Sequence, residues 1–355
     1  MFGFSVYMNE DINSSTADYI KSMKKSGFSG IFTSMHIPEE HTSLYKKRLI
    51  QLGKLALTNQ LDLMVDISSD SLQKAGFDFN DMKALTEIGV TGLRIDDEIS
   101  MKQIAIMSRK IQVSLNASTL TKKNISDIKQ YHGDFNNIEA WHNYYPRPET
   151  GLGEALFVEK NKFLMSLGLR VFAFVPGDAA LRGPVFAGLP TLERDRYKPS
   201  FSSALRMYSE FNLYGIYLGD NISDYTRFQF EQYLKKQVIP LRVNLLSVKH
   251  VDMVTGTHKN RHDAARDCIR SSDSKLKSRE IINPEHLLPR VVGSVTIDNE
   301  RYGRYMGELQ IIRVPLSAND KCNVVGHVID EDLPLIDCIG PGQDFELTVR
   351  HGEKL

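Results

Sequence analysis

An α/β fold, a TIM-type (β/α)8 barrel followed by a small, mainly antiparallel β-domain, is the architecture this sequence predicts. Three observations lead there. Short apolar strands alternate with amphipathic helical stretches eight times before about residue 245. Polar and acidic residues gather where those strands end. Past that point the texture changes to short alternating runs broken by turns. The chain has 355 residues, more than one hydrophobic core usually holds, so two domains are expected.

The strands are read at residues 3–8, 30–35, 61–67, 92–95, 112–115, 138–142, 170–175 and 215–218. Helical stretches follow at 15–25, 41–59, 79–88, 100–111, 122–131, 153–167, 199–211 and 225–236. Strands alternating with helices give a parallel sheet covered by helices, and eight units is the number that closes a barrel. An open doubly wound sheet is the alternative. That fold carries a glycine-rich phosphate turn after its first strand, whereas here the first strand runs into Asn9-Glu10-Asp11. The second domain is read from runs at 291–297, 307–313, 323–328 and 345–349, separated by Asp298-Asn299, residues 317–320 and residues 340–342. Its boundary is placed within 243–255, giving a barrel over 1–245 and a β-domain over 246–355.

Composition narrows the classes of partner. Lys+Arg and Asp+Glu both number 44, a net charge of +0, which gives no electrostatic reason to expect nucleic acid or an anionic membrane. A small anionic ligand needs only a few local cations and stays open, as does a homo-oligomer. The first residues enter a strand-like run without a basic stretch or cleavage site, so no secretory signal is expected. No apolar run approaches bilayer length. Cys268, Cys322 and Cys338 are odd in number and far apart, which suits reduced thiols in a cytoplasm. His258-Lys259-Asn260-Arg261-His262-Asp263 is read as opening the linker to the second domain; it lacks a third ligand at useful spacing, so no metal and no cofactor are expected.

Period 2 along a strand sorts its faces, because bulky aliphatics should pack outward on the helices. Asp66 then faces inward on the third strand, Arg94 and Asp96 on the fourth, and Ser114 and Asn116 on the fifth. The first strand contributes Ser5, Tyr7 and Asn9, the second Ser34 and His36, the sixth Trp141 and Asn143. A barrel interior is normally filled by branched apolar residues; here it turns polar at several strand ends at once, where barrel enzymes build their sites. Each residue alone has a structural reading. Asp66 or Asp96 can pair with Arg94 for structure, Asp97 and Glu98 can belong to a loop, His36 can cap one, and Trp141 can be core rather than a sugar platform.

Two loops are longer than a minimal turn. After the sixth strand comes His142-Asn143-Tyr144-Tyr145-Pro146-Arg147-Pro148-Glu149-Thr150-Gly151, with aromatics that stack on sugar rings, an Arg that can fork onto an anion and a carboxyl group. After the seventh come Val175-Pro176-Gly177-Asp178 and Leu181-Arg182-Gly183-Pro184. Long loops in compact domains usually carry function, and the loops after strands seven and eight are the usual barrel phosphate site. Arg182 with the Gly183 backbone is the candidate phosphate contact.

These segments together resemble the bacterial 6-phospho-N-acetylmuramidases. The likeness rests on Phe2-Gly3-Phe4-Ser5-Val6-Tyr7, on the 142–152 loop, and on Gly183-Pro184 followed by Gly188-Leu189-Pro190-Thr191-Leu192-Glu193. In the second half it rests on Gly293-Ser294-Val295-Thr296-Ile297-Asp298-Asn299, Tyr302-Gly303-Arg304-Tyr305, Gly307-Glu308-Leu309-Gln310, Asn323-Val324-Val325-Gly326 and Asp332-Leu333-Pro334-Leu335. The resemblance implies a TIM-type barrel with a cyclophilin-like second domain. It further implies an intracellular glycosidase of cell-wall recycling that splits 6-phospho-N-acetylmuramyl-N-acetylglucosamine. It carries over no catalytic assignment.

Such a substrate needs a carboxylic acid to protonate the leaving oxygen and a second carboxylate opposite it, roughly 5–5.5 Å away in retaining enzymes and about 6.5–9.5 Å in inverting ones. Glu10, Asp66, Asp96, Asp97, Glu149 and Asp220 are the strand-end pool. The reading favours Asp96 or Asp97 as nucleophile or base and Glu149 as acid, with apolar Trp141 or Tyr145 nearby to raise the acid's pKa. Arg182, Gly183 and Arg147 are nominated for the phosphate. Arg94 is nominated for the lactyl carboxylate, Asn116 or Asn143 for the acetamido group, and Trp141, Tyr145 and Asp220 as further substrate contacts. Substrate assistance by the 2-acetamido oxygen is a rival mechanism. A phosphosugar isomerase or aldolase, and a non-catalytic phosphosugar-binding protein, are rival functions; no barrel strand ends in the Lys that a Schiff-base aldolase needs.

Overall fold

The computed structural model describes residues 1–35, 44–78, 82–95, 99–274 and 280–349. His36, Asp96, Asp97 and Glu98 lie outside the described residues, as do parts of the helical stretches expected at 41–59 and 79–88. Among the described residues no helix is long and apolar enough to cross a membrane.

Eight strands close the expected barrel: β1 (Phe2–Ser5), β2 (Gly30–Ser34), β3 (Asp62–Ile67), β4 (Gly92–Ile95), β5 (Gln112–Asn116), β6 (Ile138–Trp141), β7 (Arg170–Val175) and β8 (Gly215–Leu218). Every neighbouring pair is parallel, and β1 closes the ring on β8 with Phe2 opposite Ile216. Helices follow the strands, from Ser14–Lys25 to Asp224–Lys236. Local chemistry sets their starts. The Asn13 side chain accepts the Thr16 N–H at 3.1 Å, and Thr121 forms a reciprocal capping box with Asn124.

The barrel interior is stratified. Its middle layer is aromatic rather than branched aliphatic: Phe32, Met64, Trp141, Phe172, Phe174 and Tyr217 form one buried cluster. Trp141 stacks on Phe172 with ring centroids 4.6 Å apart and on Phe32 at 5.8 Å. Rings this large fit because glycine faces them on adjacent strands. A Cβ at Gly3 would lie 2.1 Å from the Tyr217 ring, one at Gly30 2.1 Å from its hydroxyl, and one at Gly215 2.4 Å from Phe172. The single tryptophan is thus core, 1% exposed, which corrects its nomination as a sugar platform: no face of the indole is left for a ligand.

Below the aromatic layer sits a buried carboxyl group beside a partly exposed arginine. Glu139 accepts the Trp141 indole N–H at 2.7 Å and meets Arg170 at 3.2 Å, and Arg170 donates to Gln112 at 2.8 Å. Above the layer, at the C-terminal strand ends, lie Ser34, Asp66, Arg94 and Asn116, as the face sorting expects.

The second sheet has seven strands in the order β10-β15-β9-β14-β12-β13-β11, with β9 (Val238–Leu245), β10 (Gly256–Lys259), β11 (Cys268–Arg270), β12 (Ser294–Asp298), β13 (Leu309–Ile312), β14 (Cys322–Val328) and β15 (Asp344–Val349). All neighbours are antiparallel except β15 and β9, which are parallel. Chain contacts divide the molecule between Arg227 and Phe228, and the strand Val238–Leu245 belongs to the second sheet. Bidentate pairs fix this unit internally. Arg242 grips Asp332 at 2.8 and 3.0 Å, and Arg270 grips Glu308 at 2.6 and 3.0 Å. His258 is not in a linker but in β10. Its ring nitrogens meet Ser271 Oγ at 3.0 Å and the Val254 carbonyl at 2.8 Å, and it stacks on Phe345. Among the described residues no group of His, Cys, Asp and Glu could hold a metal.

Burial pushes the Glu139 carboxyl up to about 7 from its ordinary 4.5, against the Trp141 hydrogen bond and Arg170, which hold it down. Between those values the folded barrel keeps a proton that the unfolded chain has released, so stability falls as pH rises across the window. Glu139→Gln, neutral throughout, should remove that decline. Denaturation followed by the fluorescence of Trp141 should show the variant gaining on the parent between pH 4.5 and 7; a gap independent of pH would refute the assignment.

Candidate active site

Strand register brings the first group of mouth residues together. Ser34 sits opposite Asp66, and Asp66 opposite Arg94, on three consecutive strands. Ser34 Oγ donates to Asp66 Oδ2 at 2.9 Å, and Arg94 Nη1 meets Asp66 Oδ1 at 2.5 Å. Arg94 Nη2 donates to the Asn143 side-chain oxygen from the loop after β6. Asp66 and Arg94 are 8% and 7% exposed. Both Asp66 oxygens are engaged, which makes it the partner that orients Arg94. The buried Nε–H of Arg94 has no acceptor among the described residues, so one donor of the guanidinium is unspent. Asn116, at the end of β5, uses its side-chain oxygen on the Ser118 N–H at 3.0 Å.

A second group forms around Arg182. Its guanidinium lies over the Tyr7 ring, 3.7 Å from the centroid, and donates to Tyr144 Oη at 3.4 Å. Tyr7 Oη donates to the Gly219 carbonyl at 2.9 Å. Tyr144 packs edge-on against Phe174 and Phe32 at 5.2 and 6.0 Å, so it stands directly on the aromatic layer. Burial raises both phenols, and Arg182 opposes that rise in each; both are neutral donors at physiological pH. Sequence reasoning placed Tyr7 on the inner face but nominated neither tyrosine. Parity was the available signal for Tyr7; Tyr144 sits in a loop, where parity does not apply.

Asp220 organises the loop that presents Arg182. One carboxylate oxygen accepts the Arg182 N–H at 2.9 Å, and the other accepts Gly177 at 3.2 Å and Leu189 at 2.9 Å. The expectation of a substrate contact at Asp220 therefore gives way to a loop staple: the carboxylate, 2% exposed, faces backbone donors. Burial raises its pKa and the three N–H groups pull it back. Gly177 is needed where this loop crosses the next one, since a Cβ there would lie 2.1 Å from the Asn221 carbonyl.

The remaining nominees are spread around the mouth. Tyr145 and Gly183 are half-buried, while Glu10, Arg147 and Glu149 are exposed. Glu149 has φ 71, a left-handed conformation uncommon for a residue with a side chain. Behind the loop, His142 is fully buried between Asn161 at 2.7 Å and Ser118 at 3.3 Å, and burial lowers its pKa to about 4. It is a neutral structural histidine at physiological pH.

A closed parallel barrel with two arginines and several neutral donors at its C-terminal mouth defines a TIM-type barrel protein whose site suits a small anionic ligand. Residues 2–231 match the family model described as 6-phospho-N-acetylmuramidase, N-terminal, and residues 239–348 match the model described as 6-phospho-N-acetylmuramidase, C-terminal. The chain belongs to that family. It is similar to a crystal structure of a conserved protein of unknown function from Enterococcus faecalis, with 45% identity over 99% of this chain and 97% of that one and a TM-score of 0.92. An uncharacterized B. cereus protein shares the fold, with 23% identity over 98% and 99% of the two chains and a TM-score of 0.76. No curated protein matches.

Asp220→Asn should cost about 1–3 kcal/mol, because an amide nitrogen would face backbone donors that now bond to an anion. Hydrogen exchange at the Gly177, Arg182 and Leu189 amides should accelerate selectively. Unchanged protection at all three would rule out the staple.

Proposed function

We propose that this protein is an intracellular glycoside hydrolase that splits 6-phospho-N-acetylmuramyl-N-acetylglucosamine into MurNAc 6-phosphate and GlcNAc, in the recycling of cell-wall fragments. The observation that carries the reading is Arg182, held over Tyr7 and against Tyr144 at the mouth of a barrel whose whole length matches the family. Arg182 and the Gly183 backbone, with Arg147 from the neighbouring loop, supply the cation and N–H donors that a 6-phosphate requires. Arg94 supplies its guanidinium to the lactyl carboxylate, and Asn116 or Asn143 an amide to the acetamido group.

Hydrolysis requires Glu149 to protonate the glycosidic oxygen as the bond to the anomeric carbon breaks, while Asp96 or Asp97 attacks that carbon or deprotonates the entering water. Where the aspartate attacks, a water then displaces it from the anomeric carbon and gives its proton to Glu149. Where the aspartate acts as base, it passes the water's proton to solvent, and Glu149 regains one from solvent. Of the other acids in the pool, Asp66 is committed to Ser34 and Arg94, and Asp220 to the backbone. This leaves Glu149 and the Asp96-Asp97 pair for chemistry, with Glu10 in reserve after the first strand. The reaction as assigned uses no metal or cofactor, and the partner is a small phosphorylated amino-sugar disaccharide.

Purified protein incubated with phosphorylated and unphosphorylated MurNAc-GlcNAc should release GlcNAc from the first alone; no release from the phosphorylated compound would end this reading. Arg182→Ala should lower kcat/KM for it by about 10–100-fold, the worth of a hydrogen bond to a charged group. Asp96→Asn and Glu149→Gln should each abolish most turnover, and near-normal rates in both would overturn the catalytic assignment.

A further inference from the structure

The loop after β6 and the segment after β7 are bound into one body. Tyr145 N–H donates to the Pro190 carbonyl at 2.9 Å, Leu152 N–H to Thr191 at 2.9 Å, and Glu193 N–H to Leu152 at 3.2 Å. Thr191 Oγ1 reaches back to the Asn143 carbonyl at 2.8 Å. At the centre lies Glu193. One of its oxygens accepts the backbone N–H of Glu149 at 2.8 Å, and the other accepts that of Gly151 at 2.7 Å. Gly151 permits this approach, because a Cβ there would lie 2.6 Å from the Glu193 carboxylate.

Arg196 completes the arrangement. It forks onto Glu193 through Nε and Nη2 at 2.7 and 2.6 Å. The same guanidinium donates to the carbonyls of Arg147 at 3.1 Å, Gly188 at 3.0 Å and Ala187 at 3.3 Å. Arg196 is buried, 4% exposed. Its Nη1 and Nη2 thus tie the Arg147 carbonyl to the loop that carries Arg182, while Nε and Nη2 hold Glu193, which in turn holds the Glu149 and Gly151 amides. The Arg196 hydrogen bonds, with help from the Glu149 and Gly151 amides, hold the Glu193 carboxyl down at about 2, so it is ionised throughout the working range. A left-handed residue such as Glu149 persists only where its surroundings over-determine it, and these bonds supply that determination.

We propose that Glu193 and Arg196 are the positioning residues of this site: they fix the backbone at 147–151 and thereby the reach of the Glu149 carboxyl. Neither needs to touch substrate. The inference rests on the proposed hydrolase reading and on Glu149 as proton donor, and it makes a claim that a merely structural role would not. Loss of Glu193 should damage proton donation while sparing the rest of the reaction.

The test compares two substrates in the full-length protein: the phosphorylated disaccharide, whose leaving sugar must be protonated, and a 4-nitrophenyl glycoside of MurNAc 6-phosphate in the same anomeric configuration, whose leaving group needs no proton. Glu193→Gln should lower kcat on the disaccharide by about 100-fold, the order expected when a reacting group is misplaced by an ångström. KM should hold within about twofold and the aryl glycoside rate within about threefold, since only general acid catalysis is impaired. Glu149→Gln should show the same split, and combining it with Glu193→Gln should add little further loss. Arg196→Lys, which keeps charge but cannot fork, should fall between parent and Glu193→Gln; all variants are compared after Trp141 fluorescence establishes that the barrel is folded. Equal losses on both substrates, or no loss on either, would overturn the positioning role while the parent's activity leaves the hydrolase reading standing. A parent protein that cleaves neither substrate would overturn both.

Discussion

The barrel depends on a plug of aromatic rings across its middle. Trp141, Phe172, Phe174, Tyr217 and Phe32 fill a space that aliphatic side chains usually occupy, and they do so because Gly3, Gly30 and Gly215 leave the facing strand surface bare. Dense packing of this kind resists relocation. It seals the interior, so polar groups on either side of it live in separate environments. Below it, buried Glu139 meets the partly exposed Arg170. Asp66, Arg94 and Asn143 above it are oriented by one another and open to the mouth, and Tyr144 rests its ring on the plug while its hydroxyl meets Arg182. The position of the mouth donors is therefore inherited from the packing of the rings beneath.

Carboxylates serve as the wiring of the loops above that plug. Asp220 gathers three backbone N–H groups from the loop after β7, and Glu193 gathers two from the loop after β6. Backbone donors that leave a strand end have no ladder partner, and an ionised side chain is a strong way to satisfy several at once. Two loops that ordinary turn chemistry would leave mobile become a framed rim. This explains why acids collect at the strand ends in numbers greater than a hydrolytic reaction needs.

The fold was legible because its signals are local. Alternation of strand and helix is written in the periodicity, and the period of two along β3, β4 and β5 placed Asp66, Arg94 and Asn116 on the correct face. What escaped was decided by partners far away in the chain. Trp141 points inward as its parity requires, yet whether an inward tryptophan is platform or core depends on glycines on β1, β2 and β8. Asp220 looks like any strand-end acid, and Glu193 like any loop acid, until the loops they hold, some 31–44 residues distant, are in place. In the second unit, β10 and β11 are too short and polar to stand out, so the stretch around His258 resembled a linker; its burial comes from pairing with β15 and β13.

The one parallel contact of the second sheet has a consequence for how the protein is made. Strand β9 opens this unit and β15 closes it in sequence, yet they lie side by side, with β15 between β9 and β10. A nascent chain therefore leaves an unfilled slot between β9 and the edge strand β10 until β15 leaves the ribosome. The barrel has no such debt, since its ring is complete once Leu218 has emerged. Domains fold as units during synthesis, so the two halves mature in strict order, and a message cut short after the first half still yields every strand of the mouth.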